Sequence, residues 1–172
     1  LPPLFKYACD HGYSWVVAIF MENAATLKID LPPQNWNGNE TFRKACENGH
    51  LEMAAVLTNN AAILGIDLNS PINNGKTAFS LACGRGHANV VKLLMENATT
   101  MSIDLNAKSN IGNTGFHYAC IYGQTSTVEL LLNNADALHL DLNSKNIAGN
   151  TGFHDACSEG QTSIVELLLK NA

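Results

Sequence analysis

The feature that most constrains the fold is a strict internal repeat with a period of 37 residues. The segment at 114–133, TGFHYACIYGQTSTVELLLN, returns at 151–170 as TGFHDACSEGQTSIVELLLK, with 15 of its 20 positions unchanged. Three of the differences fall on one helical stripe: Tyr118 against Asp155, Ile121 against Ser158 and Tyr122 against Glu159. A period of this length predicts stacked supersecondary units that keep one framework and vary one face.

The repeat covers the whole chain as the pattern F-x-x-A-C-x-x-G, which occurs five times in register, from Phe5 to Gly160. Within one copy, Phe79, Ala82 and Cys83 have the spacing of one helix face, and Gly86 ends that helix. Apolar residues at 90, 91, 94, 98 and 101 predict a second helix of three to four turns. An Asn- and Gly-rich segment follows and predicts a hairpin-like loop.

A helix pair of this size cannot bury its apolar stripe alone, so the copies must stack. The sequence therefore predicts an all-α helix-loop-helix solenoid of about five repeats with short hairpin-like loops. We expect a single domain, residues 1–172. Its repeats are predicted at 1–30 (partial), 31–67, 68–104, 105–141 and 142–172 (partial).

Composition and charge exclude several classes of protein. The formal net charge is −5 with only 10 Lys and Arg, which disfavours a nucleic-acid binder. No apolar run approaches membrane-spanning length, so no membrane partner is expected. The opening Leu-Pro-Pro, without Met, suggests an excised fragment.

The five cysteines are also spaced by 37 residues. Stacked helices lie about 8–10 Å apart, beyond the Cα separation of about 7 Å that a disulfide allows. We therefore expect free core thiols and an intracellular, cytoplasmic, monomeric protein.

The loop and first helix resemble the ankyrin repeat, whose pattern is G-x-T-P-L-H-x-A-A-x-x-G-H. Residues 112–124 and 149–161 match this pattern, and 75–87 match it with Ser80 in the His place. The resemblance implies a stack of repeats that binds other proteins through its loop tips and the exposed side of its first helices. It also implies that His117 and His154 brace the loops.

The chain departs from the family pattern in three ways. Ala78, Gly115 and Gly152 replace the family's Pro, which should loosen the helix start. Each repeat is about four residues longer than the usual 33. These residues are predicted to add a turn to the second helix, with Leu64, Met101 and Leu138 continuing its apolar stripe. Apolar ends suggest flanking repeats in a longer protein.

Residues at equivalent positions of successive copies form columns, and two of these columns suggest alternatives to protein binding. His117 with Cys120, and His154 with Cys157, have a spacing that would allow zinc binding, although a bracing role for the histidines is favoured. Asp30, Asp67, Asp104 and Asp141 form a carboxylate column, but stacking about 10 Å apart keeps them from sharing an ion. The sequence lacks HExxH, P-loop and GxSxG motifs, so we expect no cofactor and no catalysis.

The varied columns predict the partner-binding residues. They are Trp36, Glu47, Asn48, Arg85, Lys108, Ile111, Tyr118, Ile121, Tyr122, Ile147 and Glu159. In the fourth copy, two aromatic and two aliphatic residues are predicted to face solvent together, as in an interface hot spot: Ile111, Tyr118, Ile121 and Tyr122. Trp36 can alternatively pack on its own loop.

Three functions follow from these observations. The first is a non-catalytic module that binds a protein or peptide on its concave face and loop tips. The second is a structural spacer of a longer repeat protein with no partner of its own. The third, an enzyme, has only the His and Cys columns in its favour.

Overall fold

The computed structural model describes residues 2–28, 31 and 36–171, and all regular structure within these ranges is helical. The helices are α1 Pro2–Asp10, α2 Ser14–Leu27, α3 Gly38–Glu47, α4 Leu51–Asn59, α5 Ala61–Leu64, α6 Ala78–Arg85, α7 Ala88–Glu96, α8 Gly115–Ile121, α9 Thr125–Asn133, α10 Gly152–Ser158 and α11 Thr162–Lys170. No helix in these ranges is long and apolar enough to cross a membrane. The predicted all-α helix-loop-helix solenoid is confirmed.

The helices form two layers. In the first layer, α3, α6, α8 and α10 pack side by side in chain order. In the second layer, α2, α4, α7, α9 and α11 pack in the same order. Each pair of a first and a second helix is antiparallel and joined by a tight turn, so the repeat in sequence becomes a repeat in space.

The repeated columns supply the core between the two layers. Phe5, Phe42, Phe79 and Phe116 are buried, and so are all five alanines of the pattern. Four cysteines are buried and all five are free thiols, but Cys157 is exposed. The prediction that every cysteine faces inward is therefore wrong for Cys157. Phe153 is also 37 % exposed, because no described helix packs on the outer side of α10.

Hydroxyl and glycine residues determine where the first helices begin and end. Thr77 and Ser80 form a reciprocal capping box at the start of α6, as do Thr114 and His117 at the start of α8. Gly86 ends α6 with φ +76°, and its N–H donates to the carbonyls of Ala82 and Cys83. Gly86 thus ends its helix, as predicted.

Gly115 and Gly152 have a packing role that the sequence did not predict. A Cβ atom at Gly115 would lie 2.9 Å from Cε1 of Phe79 and 3.0 Å from Sγ of Cys83. A Cβ atom at Gly152 would lie 2.7 Å from Cε1 of Phe116. The glycines that replace the family's Pro thus let each first helix approach the Phe of the preceding copy.

The extra residues of each repeat do not extend the second helix uniformly. In the second copy they form the separate helix α5, and in the third and fourth copies they form turns. Asn97 and Asn134 each donate from the side chain to a carbonyl four residues earlier, and α7 and α9 end there. The predicted added turn is thus wrong for these copies, and Met101 is 38 % exposed instead of joining the apolar stripe.

Side-chain amides join equivalent loops that lie one repeat period apart. Oδ1 of Asn69 accepts the backbone N–H of Asp104 at 2.8 Å, and its Nδ2 donates to the carbonyl of Ser102 at 2.8 Å. The carboxylates of Asp67 and Asp104 accept the N–H two residues ahead, so these two members of the column brace their loops. Asp30 lies outside the described residues.

The hairpin tips are also connected by backbone hydrogen bonds. The N–H of Asn110 donates to the carbonyl of Asn74 at 2.9 Å, and the N–H of Ile147 donates to the carbonyl of Ile111 at 3.1 Å. The loops of the third to fifth copies therefore form one continuous edge. This edge and the first-helix layer border the candidate site.

Candidate partner-binding site

A cavity of about 530 Å³ opens on the first-helix side, where the third copy meets the fourth. Helices α6 and α8 and the loop before α6 supply most of its lining. The residues that determine its chemistry are Glu47, Lys76, Gly84, Arg85, Tyr118 and Tyr122. Four of the predicted binding residues are thus brought together: Glu47, Arg85, Tyr118 and Tyr122.

Tyr118 forms a wall of this cavity, although it was predicted to face solvent. Only 4 % of the residue is exposed, and its hydroxyl donates to Oγ of Ser109 at 2.9 Å. Burial raises the pKa of Tyr118, so the phenol remains a neutral donor. The prediction of solvent exposure was wrong because the hydroxyl finds a partner in the hairpin of its own repeat.

Tyr118 contacts a second aromatic ring and a cation. Its ring lies parallel to the ring of Tyr122, with centroids 6.4 Å apart and an interplanar angle of 11°. Nζ of Lys76 lies 4.2 Å from the ring centroid of Tyr118, which is cation–π geometry. Tyr122 remains 53 % exposed and therefore presents the accessible aromatic surface of the cavity.

An ion pair crosses from the second copy to the third at the other side of the cavity. Nη2 of Arg85 lies 2.8 Å from Oε1 of Glu47. The hydrogen bond and the charge of Glu47 raise the pKa of Arg85. Both side chains are accessible, so the pair orients the guanidinium and adds little to stability.

Glycine at position 84 leaves the floor of the cavity open. A Cβ atom there would lie 3.3 Å from Cβ of Tyr118 and 3.3 Å from Cδ2 of Tyr122. Any larger side chain at this position would project into the space beside the two rings. The cavity between α6 and α8 thus depends on a position that carries bulkier residues in other copies.

The remaining predicted residues lie elsewhere. Ile111 and Ile147 are at the hairpin tips, and Ile147 is 77 % exposed. Ile121 is half-buried and does not line the cavity, and its carbonyl accepts from Nε2 of Gln161 at 2.9 Å. Glu159 is exposed in the last copy. The predicted four-residue cluster is therefore reduced to the Tyr118–Tyr122 pair.

Trp36 and Asn48 line a second cavity of about 530 Å³ between the first and second copies. Trp36 is half-buried, and its ring meets that of Phe5 edge to face at a centroid distance of 5.4 Å. The indole also lies against its own segment, because a Cβ atom at Gly38 would be 2.8 Å from Cζ3 of Trp36. Binding of a partner by Trp36 remains a prediction.

Gln124 was missed by sequence reasoning although it lines the first cavity. Its Nε2 donates to the carbonyl of Gly84 at 3.2 Å, and His87 makes the equivalent contact with the carbonyl of Glu47 at 2.9 Å. The signal was present in the column that follows the repeated glycine, which holds only His and Gln in the last four copies. Such a conserved polar column within one chain indicates inter-repeat hydrogen bonding.

Hydrogen bonds account for the histidine that suggested zinc. Nδ1 of His117 accepts from the backbone N–H of Thr114 at 3.2 Å, and its Nε2 lies 3.2 Å from the carbonyl of Asn150 in the next copy. Both ring nitrogens therefore brace the loops, as the family resemblance implied. Over the described ranges, no group of three or more His, Cys, Asp or Glu residues is arranged to hold a metal ion.

Comparison with models of protein families finds a match for the repeated segments. The family described as ankyrin repeats (3 copies) matches residues 5–109, 44–146 and 100–172, which together cover almost the whole chain. No curated protein matches the chain in a sequence comparison. The repeat period, the paired helices in two layers and this match lead to one conclusion: the chain belongs to the ankyrin-repeat family.

Proposed function

We propose that this protein is a non-catalytic binding module whose partner protein or peptide enters the cavity between the third and fourth copies and contacts the hairpin tips. Ankyrin repeats generally act as protein–protein interaction modules and are typically non-catalytic. The observation that carries the proposal is the accessible ring of Tyr122, fixed against a buried tyrosine beside an oriented guanidinium. Tyr and Arg are the residue types enriched in interface hot spots.

The side chains of the cavity are held in place before a partner binds. Tyr122 is stacked on a ring that is itself held by a hydrogen bond, and Arg85 is held by Glu47. A partner therefore contacts side chains that have little conformational freedom left to lose, which reduces the cost of binding. The nearby hairpin tips add the exposed apolar side chains of Ile111 and Ile147.

Affinity capture from a lysate of cells that produce this protein tests this proposal. The wild-type chain, Tyr122→Ala and Glu129→Ala are used as baits, and the captured proteins are quantified by mass spectrometry. Glu129 is exposed on α9, in the second-helix layer, and is the matched control. Tyr122→Ala should weaken binding by about 1–2 kcal/mol, roughly 5- to 30-fold. Equal capture by all three baits contradicts the proposed site.

A structural spacer is the second candidate, and the hydrogen bonds between repeats favour it. Asn69, Asn106 and the hairpin backbone connect successive copies in series. A stack joined in this way transmits a fixed separation between the segments on either side. Capture of no protein above background by the wild-type bait supports the spacer over the binding module. An intracellular location remains a prediction from the sequence.

A further inference from the structure

Three lysines follow the hairpin edge of the third to fifth copies: Lys76, Lys108 and Lys145. Nζ of Lys76 lies over the ring of Tyr118, and Nζ of Lys108 donates to the carbonyl of Lys145 at 3.1 Å. In the described part of the chain, the lysines that form ion pairs lie on helices, where Lys6 pairs with Asp10, Lys44 with Glu40 and Lys92 with Glu96. None of the three hairpin-edge lysines pairs with a described carboxylate. The edge is therefore a positive strip on a protein of net charge −5.

Lys76 occupies a preorganised position beside the cavity. Tyr118 holds its ammonium group over an aromatic face, and Nζ of Lys76 makes no hydrogen bond to a described residue, so N–H donors remain for a ligand. Tyr118 is fixed by Ser109 and by the stack with Tyr122. A carboxylate that meets Lys76 thus pairs with a charge whose position is largely set before binding.

Arg85 can accept a second carboxylate without losing its first. The guanidinium has five N–H donors, and the described contact with Glu47 is made by one of its nitrogens, Nη2. Its planar, branched geometry matches carboxylates. Lys76 and Arg85 both line the cavity, with the open ring of Tyr122 also in its wall. The site therefore combines two cationic positions with one aromatic surface.

Acidic residues border this strip on both sides. Glu47 and Asp10 lie toward the start of the chain, and Glu159 lies in the last copy. The lysines span two repeat intervals, roughly 20 Å at helix-packing spacing. An extended chain covers this distance with about six residues. Charge complementarity thus favours a short acidic segment and disfavours a long polyanion, which would also meet the flanking carboxylates.

We propose that the cavity and the hairpin edge bind a short acidic segment of a partner protein. One carboxylate of that segment pairs with Lys76, a second pairs with the free N–H groups of Arg85, and an apolar side chain packs on Tyr122. This inference rests on the proposed function, because it names the chemistry of the partner that the same site receives.

Selection from a displayed library of random 12-residue peptides tests the inference. Selected peptides are synthesised with a fluorescent label, and their affinities for the wild-type chain and for Lys76→Met, Arg85→Gln and Lys92→Met are measured by fluorescence anisotropy. Met retains an unbranched side chain and removes the charge together with its N–H donors. Lys92, on α7 in the second-helix layer, is the matched control. Circular dichroism of each variant checks that the fold is retained.

We expect the selected peptides to contain two or more Asp or Glu residues within about six positions. Lys76→Met and Arg85→Gln should each weaken binding about tenfold, whereas Lys92→Met should leave it unchanged. Raising the salt concentration from about 0.05 to about 0.5 M should also weaken binding, because the Debye length shortens.

Peptides without an acidic preference that lose affinity in Tyr122→Ala overturn this inference and leave the binding module intact. Failure to select any peptide also overturns it, and the capture experiment then decides separately whether the module binds a folded protein. Binding of single-stranded poly-uridine RNA with the same Lys76 dependence overturns it too, since the strip would then recognise polyanions in general.

Discussion

Asn106 holds the backbone of the equivalent loop one repeat period later from two sides: its Oδ1 accepts the N–H of Asp141 at 2.9 Å and its Nδ2 donates to the carbonyl of His139 at 2.9 Å. Asn69 makes the same pair of bonds with Asp104 and Ser102 one repeat earlier. One side chain thus satisfies a donor and an acceptor in a loop where no regular secondary structure pairs them. The result is a set of polar connections between repeats that is independent of the apolar core.

Replacing Asn106 by Ala should lower the free energy of unfolding by about 1–2 kcal/mol, because two hydrogen bonds between successive loops are lost. Urea denaturation followed by circular dichroism measures the change. Asn143 occupies the same column and makes no side-chain hydrogen bond within residues 36–171, so Asn143→Ala is the matched control. Its expected effect is within about 0.5 kcal/mol. Equal losses for the two variants would contradict a connecting role for Asn106.

Ser102 adopts a left-handed backbone conformation, with φ +53°, at the position where the second copy has Gly65, with φ +64°. This conformation costs a non-glycine residue about 1–2 kcal/mol, which the greater freedom of Gly in the unfolded chain partly offsets. Ser102→Gly should therefore stabilise the protein by about 0.5–1 kcal/mol, measured as a higher midpoint in urea. The carbonyl that accepts from Asn69 is retained. The reciprocal variant Gly65→Ser should destabilise by a similar amount, and a loss of stability in Ser102→Gly would refute the argument.

The repeat itself was readable from the sequence because core positions and helix ends use the same residue types in every copy. Phe79, Ala82, Cys83 and Gly86 were placed correctly for this reason. The extension of the second helix was not, because an Asn side chain that bonds a carbonyl four residues back competes with the backbone, and no hydrophobic pattern reports that competition. Apolar periodicity thus predicts which face is buried more reliably than where a helix ends.

The candidate site was only partly readable because its geometry depends on pairs of residues far apart in the sequence. Variation between copies identified Arg85 and Tyr122 as exposed, and both line the cavity. It could not show that Tyr118 turns its hydroxyl into its own hairpin, since the partner is the small Ser109. The floor of the cavity is open because residue 84 is Gly. The sequence shows this Gly, but only the position of the neighbouring helix shows that a cavity results.

Gly115→Ala should destabilise the protein by about 1–2 kcal/mol, even though Ala is the better helix former by about 1 kcal/mol. The new Cβ would lie 2.9 Å from Cε1 of the buried Phe79, and such overpacking costs about 1–3 kcal/mol. Urea denaturation of Gly115→Ala, Cys83→Ala and the double variant measures the coupling. Because Sγ of Cys83 is the other close neighbour, at 3.0 Å, the double variant should be more stable than the sum of the single losses predicts. Strict additivity would exclude the steric explanation.

One cysteine should react in the native protein, because Cys157 is exposed while the other four thiols are buried. Burial also raises the pKa of Cys46 and Cys83, and the thiolate is the reactive form. Treatment with an aromatic disulfide reagent at about pH 8 should therefore modify Cys157 rapidly and the others only after denaturant is added. Peptide mapping by mass spectrometry identifies the modified residue. In Cys157→Ser the rapid phase should disappear, and its persistence would mean that a core thiol is accessible.

The buried thiols should also make the protein sensitive to alkaline pH. Burial, with a smaller contribution from the charge of Asp155, raises the pKa of Cys120 from 9.0 to about 12. Because the folded value is the higher one, the stabilisation is complete below about pH 9 and is lost as the pH rises toward 12, where the unfolded chain releases the proton first. At pH 10 the expected loss from Cys120 is on the order of 1 kcal/mol relative to pH 7.

The test compares how far stability falls between pH 7 and pH 10 in variants that lack one thiol. Cys120→Ala lowers stability at both values by removing a core side chain, so only the difference between the two is informative. That difference should be smaller than in the wild type by on the order of 1 kcal/mol. Cys157→Ala removes an exposed thiol and should leave the difference unchanged. If stability falls equally in Cys120→Ala and in the wild type, Cys120 ionises alike in the folded and unfolded chains. That result would contradict a pKa raised by burial between α8 and the neighbouring repeat.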